Sequence, residues 1–198
     1  MFDPGQVLAE RDCWAADTEA ALASGVRTVV RLSARMPAAL RIKGLADRPV
    51  SWGARTFEAE CCHLGLTLQH LGPGRGVLGP WVLWTSDNDP FLLKQAALSV
   101  EESCIQGRML DLDVYSQEGP VSRTLLGLPS RSCVVCGQTA AVCTGRSIHS
   151  QAAVQAAFLA LLEHSPGFIS TGSPDGYAVG VQPPLNIREI SIQGGDTP

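Results

Sequence analysis

Between Arg108 and Tyr115 the chain alternates. Leu110, Leu112 and Val114 fall on one side, and Asp111, Asp113 and Tyr115 on the other. A period of two predicts a half-buried β-strand with one apolar and one polar face. Two aspartates at i and i+2 project to the same side, with their carbons roughly 7 Å apart by strand rise. Aspartate is depleted in strands, so a pair on one strand calls for a reason. One reason is a shared hard divalent cation. Mg²⁺ is typically held by one or two carboxylates plus substrate phosphates. Such an ion offsets the like-charge repulsion and polarises a phosphoryl group. The alternative is a solvated strand face. Gly107-Arg108, just before the strand, adds a permissive backbone and a phosphate-compatible side chain.

The other segments read as a mixture of helices and strands. A helix is expected over 6–23, ending near Ser24-Gly25, where Gly suits the position after the cap. A strand follows over 26–32. The stretch around Pro37–Pro49, with Arg35, Arg41, Lys43 and Arg48, reads as a basic loop or short helix. Ala54, Phe57, Cys61, Leu64, Leu68 and Leu71 recur at helical spacing and predict an amphipathic helix over 52–70. Residues 72–76 read as a Gly-Pro break, and 81–85 as a short strand. Asp89-Pro90 has the form of a helix start, with Asp as N-cap and Pro at the first turn. Residues 121–126 are expected to return as the second strand of a hairpin. A compact cysteine loop and a helix over 147–164 complete the expected domain, 1–164. Residues 165–198, rich in Gly, Pro and Ser, read as a flexible, mostly disordered tail.

Composition excludes several classes. With 198 residues and 45% hydrophobic content the chain can bury a real core. Its net charge of −4 argues against a general nucleic-acid binder. No apolar run approaches the ~20 residues of a membrane span, and Met1-Phe2-Asp3-Pro4 lacks a secretory pattern. A cytoplasmic protein without nucleic-acid or membrane partners is expected. Seven cysteines, an odd number, speak against a disulfide framework.

Cys133, Cys136, Cys143 and His149 have zinc-compatible types and spacing. The alternative is thiols packing a tight loop. His149 could instead touch phosphate or cap the following helix. Arg108, Arg123, Arg131 and Arg146 share one stretch with only Asp111, Asp113 and Glu118 as acids. Arginine's planar fork suits phosphate oxygens, although each could equally be a surface residue. Glu101 is either a third carboxylate or, at a helix end, a solvated one.

The segment Gly107-Arg108-Met109-Leu110-Asp111-Leu112-Asp113-Val114 resembles the Gly-Arg-x-x-Asp-x-Asp-Val signature of holo-citrate-lyase synthases, also called apo-citrate lyase phosphoribosyl-dephospho-CoA transferases. Leu128-Pro129-Ser130-Arg131-Ser132-Cys133-Val134-Val135-Cys136 is similar to the family's Leu-Pro-x-Arg-x-Cys-x-x-Cys. Ala140-Ala141-Val142-Cys143 and His149 are similar to the segment after it. The resemblance runs from about Lys94 to Gln151. It implies an α+β fold: a nucleotidyltransferase-like mixed sheet flanked by helices, with Gly107-Arg108 in place of the usual Gly-Ser motif. It also implies an activity, transfer of a phosphoribosyl-dephospho-CoA group from its triphosphoribosyl donor to a serine of the citrate lyase acyl carrier subunit, with diphosphate leaving. In that reading Asp111 and Asp113 hold Mg²⁺ and are catalytic. Gly107, Arg108, Arg131, Arg146 and His149 meet the donor, and the cysteines shape the floor of the site rather than attack. Two rivals are the same transfer to a malonate decarboxylase carrier, and a non-catalytic zinc-stabilised module that docks a carrier.

Overall fold

The computed structural model describes residues 3–164; the expected tail, 165–198, lies outside them. Helix α1 (Pro4–Ala23) leads into strand β1 (Thr28–Ala34), short helix α2 (Ala38–Ile42) and helix α3 (Asp47–His63). The hairpin β2 (Gln69–Gly76) and β3 (Gly79–Ser86) follows, then α4 (Pro90–Glu102), a 3₁₀ turn (Ile105–Met109) and β4 (Leu110–Ser116). A two-residue strand β5 (Gly119–Pro120), α5 (Ala140–Gly145) and α6 (Gln151–Glu163) complete the domain. No described helix is long and apolar enough to cross a membrane.

The α+β class is as expected, with helices flanking one five-stranded sheet of order β2-β3-β1-β4-β5. The sheet is wholly antiparallel rather than mixed. The reason lies in the crossovers. β3 and β4 run the same way through α4, but β1 is inserted between them. β1 and β2 likewise run the same way, with β3 inserted.

The expected alternation sets the layers. Leu110, Leu112 and Val114 pair with Ala34, Leu32 and Val30 across β1. Together they pack on Val50, Ala54 and Phe57 of α3 and on Leu93, Ala97 and Val100 of α4. Trp84 of β3 is fully buried there, with its ring 5.3 Å from Phe57 and its Nε1 donating to Glu58. The opposite face is covered at one end by α1, where Ala21 meets Val29 and Leu83. The strand β1 is therefore buried on both faces, which explains its weak alternation.

Local signals explain most element ends. Asp89 accepts the Phe91 N–H at 2.8 Å, as its N-cap reading requires. Three expectations need correction. The helix expected to reach residue 70 stops at His63. Gly65 takes φ +69°, and the Leu66 N–H returns to the Cys61 carbonyl, closing a Schellman end. Residues 72–76, read as a break, belong to edge strand β2. There the bulge between His70 and Gly72 and the edge position make room for Pro73. Residues 121–126 are not a strand, and pairing ends at Pro120, apart from one Val121 N–H to Val114.

That short β5 leaves the outer edge of β4 open at Leu112, and α4 closes it. Glu101 accepts the Leu112 N–H and Lys94 donates to the Leu112 carbonyl, each at 2.8 Å. Both side chains are buried. Glu101, one of whose readings was a solvated residue, is therefore an edge cap. Gly107 passes directly beneath the C-terminal turn of α4, and a side chain there would overlap the Glu101 carbonyl. Gly107→Ala is expected to lower unfolding free energy by about 2–3 kcal/mol in a urea titration.

Candidate active site

The polar face of β4 forms the floor of a cavity of about 920 Å³. Register places Asp113 opposite Arg31 and Asp111 opposite Ser33. The walls come from α1 (Arg11 and Trp14), the segment after β1 (Arg35 and Arg41), and α5–α6 (Cys143, His149 and Phe158 among others). Four arginines thus face two carboxylates, an arrangement that attracts a multiply charged anion.

Arg31 is held rigidly. It is buried, donates to the Trp14 carbonyl and Thr18 Oγ1 at 2.5 and 2.6 Å, and lies 5.2 Å from the Trp14 ring centroid. Burial lowers the pKa values of Arg31, Arg35 and Arg41, though a guanidinium stays charged. Arg41 donates to the Leu78 carbonyl at 3.2 Å, while its buried Nε has no hydrogen-bond partner among the described residues.

Burial, and then the neighbouring Asp111, push the Asp113 carboxyl up to about 6. Asp111 instead accepts from Arg131 Nη1 at 2.9 Å. Arg131 also grips Glu101, so one guanidinium bridges the floor carboxylate and the edge cap. Burial alone would lower Arg131, but Glu101 and Asp111 outweigh it and raise its pKa. Burial also raises the pKa of Glu101, against the pull of Arg131.

The raised Asp113 pKa has a stability consequence. Its contribution is fully present below 3.8 and is lost as pH rises through about 6. Asp113→Asn in chelator is expected to be about 2 kcal/mol more stable than the parent at pH 7.5, with the difference vanishing near pH 4. Urea titrations at both pH values check this.

Asp111, Asp113 and His149 all line the cavity, as do Cys133 and Cys143. Arg108, Arg131 and Arg146 do not. Arg108 donates to the Cys133 carbonyl at 3.1 Å, Arg131 lies behind Asp111, and Arg146 is an exposed cap of α5. Gly107 is packed under α4. Sequence reasoning missed Arg11, Arg31, Arg35 and Arg41 as cavity residues. A usable signal for Arg31 was a cation set between Val29-Val30 and Leu32 within the expected strand.

Ligand atoms of Cys133, Cys136, Cys143 and His149 all lie within 4.8 Å of one another, so the set could hold a metal ion. All seven cysteines are free thiols.

Residues 4–165 match the family model described as apo-citrate lyase phosphoribosyl-dephospho-CoA transferase. Among curated relatives, "Protein CitXG" of Leuconostoc mesenteroides subsp. cremoris is 37% identical over 78 residues, 38% of this chain and 17% of that protein. An apo-citrate lyase phosphoribosyl-dephospho-CoA transferase of Escherichia coli O139:H28 is 45% identical over 58 residues, 29% of this chain and 32% of that one. A Vibrio cholerae protein described as a probable enzyme of the same name is 26% identical over 136 residues, 65% of this chain and 73% of that one. The chain thus spans about a sixth and a third of the first two relatives.

Proposed function

The chain belongs to the apo-citrate lyase phosphoribosyl-dephospho-CoA transferase family, and from that premise we propose that it attaches the phosphoribosyl-dephospho-CoA group to the citrate lyase acyl carrier. The donor is the triphosphoribosyl form. The carrier serine oxygen bonds to the α-phosphorus, the bond to the diphosphate breaks, and the hydroxyl proton passes to water. The observation that carries this reading is the cavity itself, with four arginines set over paired carboxylates.

Each group has a task in that geometry. Arg11, Arg35 and Arg41 receive the phosphate chain from the walls and hold the departing diphosphate. Arg31, fixed between Trp14 and Thr18, places a permanent positive charge opposite Asp113. Arg131 aims Asp111 through the hydrogen bond from its Nη1. The floor also fits Mg²⁺, because the raised Asp113 pKa is the like-charge and burial tension that a divalent cation relieves. Asp111 and Asp113 would hold that ion, which when bound neutralises charge on the transferred phosphoryl group. The thiols do no chemistry, since the attacking oxygen belongs to the carrier. The reaction is assigned to the cytoplasm, where seven free thiols stay reduced.

The test is incubation of the purified chain with donor, Mg²⁺ and apo-carrier, read by intact-mass spectrometry. Citrate lyase carrier should gain the mass of one phosphoribosyl-dephospho-CoA group, and a malonate decarboxylase carrier should not. No gain on either carrier would overturn the proposal. A gain on the second carrier alone would transfer the same chemistry to that acceptor.

A further inference from the structure

We propose that Cys133, Cys136, Cys143 and His149 form a tetrahedral structural zinc site that fastens the α5–α6 wall of the cavity to the carboxylate strand. The four ligand atoms are already gathered within 4.8 Å of one another, so small side-chain adjustments bring them to zinc distances. Cys136 Sγ lies 3.6 Å from Cys143 Sγ and 3.2 Å from His149 Nε2. Tetrahedral zinc with sulfur at ~2.3 Å and nitrogen at ~2.0–2.1 Å places its ligands about 3.5–3.8 Å apart.

The loop is shaped for this use. Cys133 and Cys136 flank a tight turn in which the Val135 N–H points at Cys133 Sγ, 3.5 Å away, and the Gly137 N–H bonds the Cys133 carbonyl at 3.0 Å. Gly137 takes φ +76°, which a side chain would strain.

The rival explanations fit less well. A disulfide between Cys136 and Cys143 needs ~2.05 Å between sulfurs and leaves Cys133 and His149 without a task. Apolar packing does not account for Cys136, which is exposed. Three thiols and an imidazole are soft donors that suit zinc rather than magnesium or calcium.

The consequence reaches the floor. The Cys133 carbonyl receives Arg108, and the Arg131 carbonyl receives the Ala140 N–H at 2.8 Å. Closing the loop on zinc therefore fixes the backbone that carries Arg131 to Asp111.

Elemental analysis of the purified full chain under reducing conditions should find about one zinc per chain. Cys136→Ser and His149→Ala should each lose it. Cobalt added to the stripped protein should give thiolate charge-transfer bands and the ligand-field spectrum of a tetrahedral site. A chelator should lower the melting temperature by more than about 5 °C. If Cys136→Ser fails to fold, the half-buried His149→Ala and the cobalt spectrum of the parent decide. A chain free of zinc that melts unchanged in chelator, or a cobalt spectrum without thiolate bands, would overturn the proposal. None of these readings uses transfer activity, so a failed transfer assay leaves them standing.

Discussion

Asp111→Asn and Asp113→Asn are each expected to reduce transfer on the order of 10³-fold while leaving a folded protein. Asparagine keeps the size of aspartate and removes the charge that would hold a cation beneath the transferred phosphoryl group. Asp113 makes the sharper case. Its carboxylate is disfavoured by burial and by Asp111, so the Asn variant should be more stable at neutral pH and yet inactive. A side chain kept for packing would show the reverse. Groups retained against stability are characteristic of functional sites. Initial rates of carrier loading together with urea titrations measure both halves. Near-normal transfer by folded Asp113→Asn would remove the carboxylate pair from the mechanism.

The second large effect belongs to the cavity arginines. Arg35→Ala and Arg41→Ala should each weaken donor binding about 10–100-fold, the worth of one or two charge-assisted hydrogen bonds. Arg→Lys should restore only part, because lysine cannot offer a planar two-pronged contact.

Much of the fold was legible because it rests on short-range patterns. The alternation over 110–115 gave both the strand and its faces, and Asp89-Pro90 gave a helix start. The overlong third helix came from Leu64, Leu68 and Leu71, which continue the helical period after Gly65 has already turned the chain. Periodicity records apolar spacing and does not see a backbone that has entered the left-handed region. The missing second strand after β5 had a different cause. Whether 121–126 pairs depends on what closes the edge of β4, and that is settled by the side chains of Lys94 and Glu101 from α4, whose helical period does not reveal it.

The site divides the same way. Asp111 and Asp113 are neighbours in sequence, and their shared face follows from strand geometry alone. The arginines are not local. Arg11 comes from α1, Arg31 from β1, and Arg35 and Arg41 from the segment beyond it, and only the folded sheet gathers them. The arginines adjacent in sequence, Arg108 and Arg131, are instead spent on the Cys133 carbonyl and on the Glu101–Asp111 bridge.

Equilibrium titration of the triphosphoribosyl donor, without carrier, into the parent chain and into Arg35→Ala and Arg146→Ala tests the location of the site most directly. That location predicts an affinity loss of at least about 10-fold for Arg35→Ala and parental affinity for Arg146→Ala. Parental affinity in Arg35→Ala together with weakened binding in Arg146→Ala would contradict it, and would place the donor outside the arginine-lined cavity.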